Sequence, residues 1–448
     1  MIDQIMAARA NLMKIAHQGL LEAQQQGADA CKIVIGTHQS NRLVVESGEM
    51  SLASSLETRS IGVQVMKDQK KGSAVINTVS QDGLRQAIGD ALALAHFSVP
   101  DPYLVLPDAR EAPRAKELAF LYEEALATYS SEHMQELMLE TLDIMQKDPR
   151  VALDRYELTL DVSWNGLVNS LGVVQDIKQA MMSWMFMGMA REGEQVSGMD
   201  YDSYFSYTSH GIHQKSRQDA ELFAKKLVQS LNPRRCPSYK GVVVLSPRAV
   251  SDVFLDFILY HAGGRQLMDG KSKWSALETQ VVSPLVSISD DPHSSRFSHA
   301  SSYDGDGLPT RKQSLIEKGV LKTFFHDCYS AKKCGATSTA TSGGPFGLTI
   351  APGSDALAAL LSQHSQVLLV DRFSGSTDPI DGSFSGVAKS SRLFQKGIDQ
   401  GPVIETMISG DFFDLAHSVV ALSQETEVVG GSLESPFFFI DGIHVTGA

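Results

Sequence analysis

The stretch Ser60-Ile-Gly-Val-Gln-Val-Met-Lys-Asp-Gln-Lys-Lys-Gly-Ser-Ala-Val-Ile-Asn-Thr-Val-Ser80 sets the fold class. Ile61, Val63 and Val65, then Ala74 and Ile76, recur in period two around the turn Lys67–Gly72, which is the pattern of an antiparallel hairpin with one buried face. Directly after it, Leu84, Ala87, Ile88, Ala91, Leu92 and Ala95 recur at helical spacing over Asp82–His96. Ahead of it, Ile5, Leu12, Ile15, Ala16 and Leu20 predict a helix over 3–26, stopped by Gly27. Two short strands are expected between them, Ala30–Gly36 and Asn41–Ser47.

Beyond this block, residues 99–113 hold four prolines and read as a surface connection. Ala115–Lys147 is expected to be two helices meeting near Ser130-Ser131, with Ser131 as cap. Val151–Ser209 reads as strand after strand, with turns at Trp164-Asn-Gly166 and Leu171-Gly172. Within it, Met181–Ala190 holds five methionines. Such a run suits a buried strand, and the polarisable thioethers also suit a soft-metal or promiscuous peptide surface. A helix follows at 215–231, and Asn232-Pro-Arg-Arg-Cys-Pro237 sets the expected boundary between an N-terminal domain, 1–232, and a C-terminal domain, 233–448.

In the second half, Ser246-Pro247 starts a helix with a serine cap and proline in the first turn, and Gly263-Gly264 ends it. Strands are expected at Val281–Ser289, Leu348–Ile350, Val367–Val370 and Phe437–Val445, and hairpins at Leu315–Phe325 (turn Lys318-Gly319) and Ile380–Gly397. A helix is expected at Asp411–Leu422. Helices and strands come in blocks, so the expected class is α+β: N-terminal helices on a mostly antiparallel sheet, then a β-rich, barrel- or sandwich-like domain with few helices.

Composition narrows the function. The 448 residues carry 39 Lys+Arg against 52 Asp+Glu, a net charge of −13. Phosphate contacts dominate nucleic-acid affinity and need clustered cations, so no DNA or RNA partner is expected, and a gyrase-binding role stands as a rival reading. No window is apolar enough to span a membrane, and Met1–Arg9 lacks the basic-then-apolar order of a signal peptide. The four scattered cysteines (Cys31, Cys236, Cys328, Cys334) fit reduced thiols in a cytoplasmic protein. There is no phosphate-binding loop, dinucleotide fingerprint or hydrolase nucleophile turn. His210 and His213 read as loop histidines. His293 and His299, flanking a serine-rich loop after Asp290-Asp291, are candidate metal ligands without a visible third.

Several segments together resemble the TldD/PmbA family: Val44-Val-Glu-Ser-Gly-Glu49, Ile61–Asp68, Gly72-Ser-Ala74, Tyr303-Asp-Gly-Asp-Gly-Leu-Pro-Thr310, Leu315–Leu321, Tyr329-Ser-Ala-Lys-Lys333 and Gly382-Ser-Phe-Ser385. The resemblance implies one of two subunit types. TldD-like members resemble zinc peptidases with a His-Glu-x-x-x-His helix and a late cysteine ligand. PmbA/TldE-like members lack those ligands and pair with a TldD-like subunit in a cytoplasmic complex that trims unfolded peptides. The historical label, modulator of DNA gyrase, implies no DNA contact.

Leu255-Asp-Phe-Ile-Leu-Tyr-His261 falls where the metal helix belongs. Asp256 stands at the first histidine's place, Phe257 at the glutamate's and His261 at the second histidine's. Phe257 cannot take a proton from a metal-bound water. On a regular helix Asp256 and His261 stand about 140° apart, and only a local π-turn would bring them together. No cysteine follows Val428-Val-Gly-Gly-Ser432. The resemblance therefore implies a PmbA/TldE-like chain with no catalytic or metal residue of its own, Asp256, Phe257 and His261 being degenerate positions. Zinc is expected in a TldD-like partner, with that subunit or a second copy completing a dimer. The rival reading is an independent peptidase whose metal site is rebuilt from His261 with His293 or His299. A non-enzymatic peptide-binding scaffold is a further alternative.

Overall fold

The computed structural model describes the backbone of residues 2–447 and the side chains of 9–447; the side chain of Ile5 lies outside the described residues. Helix α1 (Ile2–Gln25) leads into β1 (Ala30–Glu46), β2 (Glu49–Lys67), β3 (Lys70–Ile76) and α2 (Gln81–Phe97). The β2–β3 turn places Asp68 and Gln69 at φ 52° and 61°, the left-handed pair that matches strand twist in a two-residue hairpin. Ser80 caps α2 by accepting the Gly83 N–H. After the proline-rich connection come α3 (Glu124–Ala127), α4 (Ser131–Met145), β4 (Val151–Asn169), β5 (Val174–Glu192), β6 (Gln195–Val196), β7 (Asp200–Ser206) and α5 (Ile212–Gln229).

These strands form one antiparallel sheet, β3-β2-β1-β4-β5, with β6 and β7 both on the outer side of β5. Odd positions of β1 and even positions of β4 face the helices: Ile33, Ile35 and Trp164 under α1 and α2, and Leu43, Val45 and Tyr156 under α4 and α5. All four helices therefore cover the same face. The opposite face carries the Arg42–Glu157 ion pair and the His38–Asp161 hydrogen bond. Strand β2 is uneven. Residues 61–67 are flanked by β3, whereas 49–60 pair with β1 alone and are exposed at every position.

Several expectations change here. The two short strands at 30–36 and 41–47 are one strand, because the polar residues between them pair with both β2 and β4. Trp164-Asn-Gly166 is not a turn. It lies inside β4, where a Cβ at Gly166 would stand 2.6 Å from Met13 Sδ and 2.9 Å from the Trp164 ring, so the glycine makes room for those side chains. The cap of α4 is Ser130, whose Oγ accepts the His133 N–H.

The second sheet is mixed and has fourteen strands, beginning with β8 (Arg234–Arg235) and β9 (Tyr239–Leu245). β9 lies between the parallel strand Val367–Val370 and the antiparallel strand Leu433–Thr446. The Lys318-Gly319 turn forms with both residues at positive φ. Val281–Ser289 shrinks to Ile288–Asp290, and the second hairpin runs from Arg372–Thr377 to Ser383–Lys389. The expected helix at 411–422 is one turn, Phe412–Leu415, followed by the strand Val419–Val429; the pairing of that strand with 433–446 overrides its local pattern. The α+β class holds, and no helix among the described residues is long and apolar enough to cross a membrane.

The helical segment after Ser246 has three parts: α6 (Pro247–Val250), a π-turn (Ser251–Leu255) and α7 (Asp256–Ala262). Ser246 Oγ accepts the Arg248 and Ala249 N–H groups and donates to the Asp371 carbonyl at 2.7 Å. Asp252, inside the π-turn, accepts the Phe373 N–H at 2.9 Å.

Candidate functional site

The segment 247–262 brings two environments to one element. At its start, Arg248 points across to the first sheet. Its guanidinium reaches Asp200 Oδ1 at 2.9 Å, the Tyr201 carbonyl at 2.6 Å and Asp371 Oδ2 at 3.0 Å. Arg372 reaches the same Asp200 oxygen at 2.6 Å, Ser390 donates to the other oxygen, and Lys226 of α5 bridges Asp371 at 2.7 Å. Burial opposes charge on Asp200, but Arg248 and Arg372 hold its carboxyl below the usual value. Asp202 goes the other way: burial, with Asp200 and Asp371 nearby, pushes its pKa up to about 7.

At the far end the surroundings are apolar. Phe257 is fully buried and stacks on Phe412 at 4.7 Å and 9°, with Phe254 edge-on to the same ring at 5.1 Å. His261 is fully buried against Trp274 and Phe413. Its Nε2–H donates to the Pro379 carbonyl at 2.7 Å and its Nδ1 accepts the Lys273 N–H at 3.2 Å. Burial holds the imidazole pKa below its usual value, the Pro379 carbonyl opposes that, and the Lys273 charge reinforces it. The Lys273 ammonium lies 3.8 Å above the Phe413 ring and donates to the Asp381 carbonyl.

The structure does not bring the sequence-predicted residues together. Asp256 is exposed while His261 is buried. The π-turn ends before Asp256 and so does not close the gap between them. A zinc ion needs deprotonated, unshared nitrogen, sulfur or carboxylate donors. Here the one imidazole has both nitrogens engaged, an ammonium stands close by, and the middle position is a phenyl ring; this set does not fit a zinc ion. His293 bonds Thr310 Oγ1 at 3.0 Å and exposed His299 bonds Ser298; neither shares a partner with His261. Among the described residues, no group of three His, Cys, Asp or Glu side chains is placed to hold a metal ion. His213 is not a lone loop histidine: its two nitrogens bond Glu140 and Tyr129, 73 and 84 residues away in sequence and invisible to local spacing.

Sequence reading also missed a cavity of about 670 Å³ between the sheets, beside the outer side of β7. Phe120, Tyr122, Tyr204, Phe205 and Tyr207 line it, with Arg296, which is itself bound to Glu434. Tyr207 spans the two halves by donating to the Phe297 carbonyl at 3.0 Å. The one local signal was the aromatic alternation Tyr201-x-x-Tyr204-Phe205-x-Tyr207. The Met181–Ala190 run splits by parity: Met182 is in the core, while Met181, Met185, Met187 and Met189 are half-buried on the face away from the helices.

Two family models match the chain: the PmbA/TldA metallopeptidase C-terminal domain over 238–447 and PmbA/TldA metallopeptidase domain 1 over 31–95. A metalloprotease PmbA homolog of Haemophilus influenzae is 26% identical over 400 residues, spanning 86% of this chain and 85% of the relative. Metalloprotease PmbA of Escherichia coli O157:H7 is 23% identical over 441 residues, spanning 95% and 94%. The crystal structure of TldE from Thermococcus kodakarensis superposes with a TM-score of 0.84 over 96% of this chain and 100% of that one. At 21% identity that likeness concerns the fold.

Proposed function

Because this chain belongs to the PmbA/TldD metallopeptidase family, on its PmbA/TldE-like side, we propose that it is a TldE-type subunit of a cytoplasmic peptidase complex acting on unfolded peptides. The chain holds no zinc of its own, and hydrolysis belongs to a TldD-like partner. The observation that carries this reading is the occupied state of the degenerate helix: Phe257 is locked in an aromatic stack and His261 in two hydrogen bonds. Neither can serve as base or ligand without rebuilding the core around it. The aromatic cavity beside β7 supports a role in holding an extended segment, since aromatic rings accept many side chains and a strand edge offers main-chain partners. We place the boundary between the N-terminal unit, 1–232, and the C-terminal unit, 233–448, in the proline-flanked stretch before β9.

The test is to purify the chain alone and together with a TldD-like protein. The chain alone is expected to contain no stoichiometric zinc and to leave an unfolded peptide intact, and the pair to cleave it. Zinc and cleavage in the isolated chain, both abolished by His261→Ala, reverse the assignment in favour of an independent peptidase. Peptide binding without cleavage by either preparation leaves a scaffold.

A further inference from the structure

The charged junction crosses between the two sheets, and its charges balance on neither side. β7 and α5 bring Asp200 and Asp202 against Lys226, one negative charge in excess when all are ionised. The second half brings Asp252, Asp371 and Glu427 against Arg248 and Arg372, again one negative charge in excess. Lys215 and Asp219 of α5 pair with each other at 3.2 Å and add nothing to the sum. The close cation contacts go to Asp200 and Asp371, at 2.6 to 3.0 Å. Asp202 is left with Lys226 at 3.6 Å and Arg248 at 3.7 Å, beyond hydrogen-bond length. Its charge is disfavoured first by burial and then by Asp200 and Asp371, which Arg248 and Arg372 offset only in part.

Asp200 lies opposite Gly188 of β5. Next along the sheet comes the cavity, walled by Ser203, Tyr204 and Lys215 from one half and by Val428 and Gly431 from the other. The Tyr207–Phe297 hydrogen bond follows. Farther on, roughly 40 Å down β5 from Gly188, Gln175 donates to the Gly307 carbonyl at 2.8 Å, and Leu167 and Val173 pack on Tyr303 and Leu308. Those contacts carry no charge and do not change with pH near neutrality. The chain passes between the halves at 230–233, just beyond Lys226, so the junction can part locally without the halves separating. A carboxyl that is neutral when the junction is shut and ionised when it is open couples the two events: each opening releases a proton, and rising pH draws the equilibrium toward the open form.

We propose that this junction is a proton-operated clasp between the two sheets, shut while Asp202 keeps its proton and parted at the Ser203–Val428 end of the cavity once Asp202 ionises. The test is amide hydrogen exchange of the full chain at pH 6 and pH 8, each rate divided by that of the same amides in unfolded peptide. In both segments that meet at the junction, 200–206 and 370–374, protection is expected to fall ~10-fold between the two pH values, the change for release of one proton from a group titrating at about 7. Exchange there is expected to depend weakly on urea, as a local opening does, and exchange of the β1 and β4 core amides steeply. Asp202→Asn, of the same size and always neutral, is expected to hold protection level across that range. Glu427→Gln, which leaves Asp202 in place, is expected to raise protection at pH 8 ~3-fold by removing the excess charge of the second half. Equal protection at pH 6 and pH 8 in the parent chain overturns the proposal. So does the parent's pH slope persisting in Asp202→Asn, or a urea dependence as steep as that of the core amides, which would make global unfolding the only opening.

Discussion

Arg248 and His261 sit at opposite ends of one helical segment and meet opposite treatment. At the start, charge is kept inside the protein by surrounding it with more charge: Asp200 and Asp371 neutralise the buried guanidinium, and Lys226 in turn pairs with Asp371. At the end, charge is excluded: His261 is neutral among Trp274, Phe413 and Phe257. A titratable group near a family's metal position is therefore no sign of chemistry by itself. What its protons and lone pairs are already doing decides.

The largest effect is expected from Arg248→Met. Removing one partner of a buried ionic group leaves Asp200 with Arg372 and Lys226 as its charged partners, at a cost of about 4 kcal/mol, to be read from urea unfolding. Next comes Phe257→Ala, which empties the stack on Phe412 and should cost about 3 kcal/mol; here the loss should be independent of salt, whereas the Arg248 loss should change with it.

The pH dependences have opposite signs. The depressed pKa of His261 makes its contribution complete above the ordinary imidazole range and lost as pH falls below about 6.5. His261→Gln should therefore lower Tm at neutral pH and flatten its decline toward pH ~5.5. Asp202, raised from 3.8 to about 7, favours the folded state while protonated and withdraws that support as pH rises toward and through 7. Asp202→Asn should gain about 1 kcal/mol over the parent near pH 8 and almost nothing near pH 4. A variant that loses stability equally at both pH values would remove Asp202 from the junction's excess charge.

The hairpin 61–76 and the serine-capped start at Ser246 were legible because each rests on residues within a few turns of one another. Residues 49–60 carry no alternating apolar pattern because neither face is buried, so no strand was expected there. The junction of Asp200, Arg248 and Asp371 joins positions 48 and 123 residues apart, and the Glu140–His213 pair spans 73. Spacing rules have no purchase at those distances. Gly166 misled for a related reason: its need for space came from Met13, on another element.

The wide turn at Ser251–Leu255 works as a phase adjuster. One residue corresponds to about 100° of rotation along a helix, so the surplus residue sets how the guanidinium at one end is clocked against the imidazole at the other. Excising Asp256, the first residue after the turn, would move Phe257 into the exposed slot that Asp256 holds and His261 into the half-buried slot of Tyr260. In this segment the count of residues is as tightly constrained as their identity, and deletions should fail where many substitutions survive.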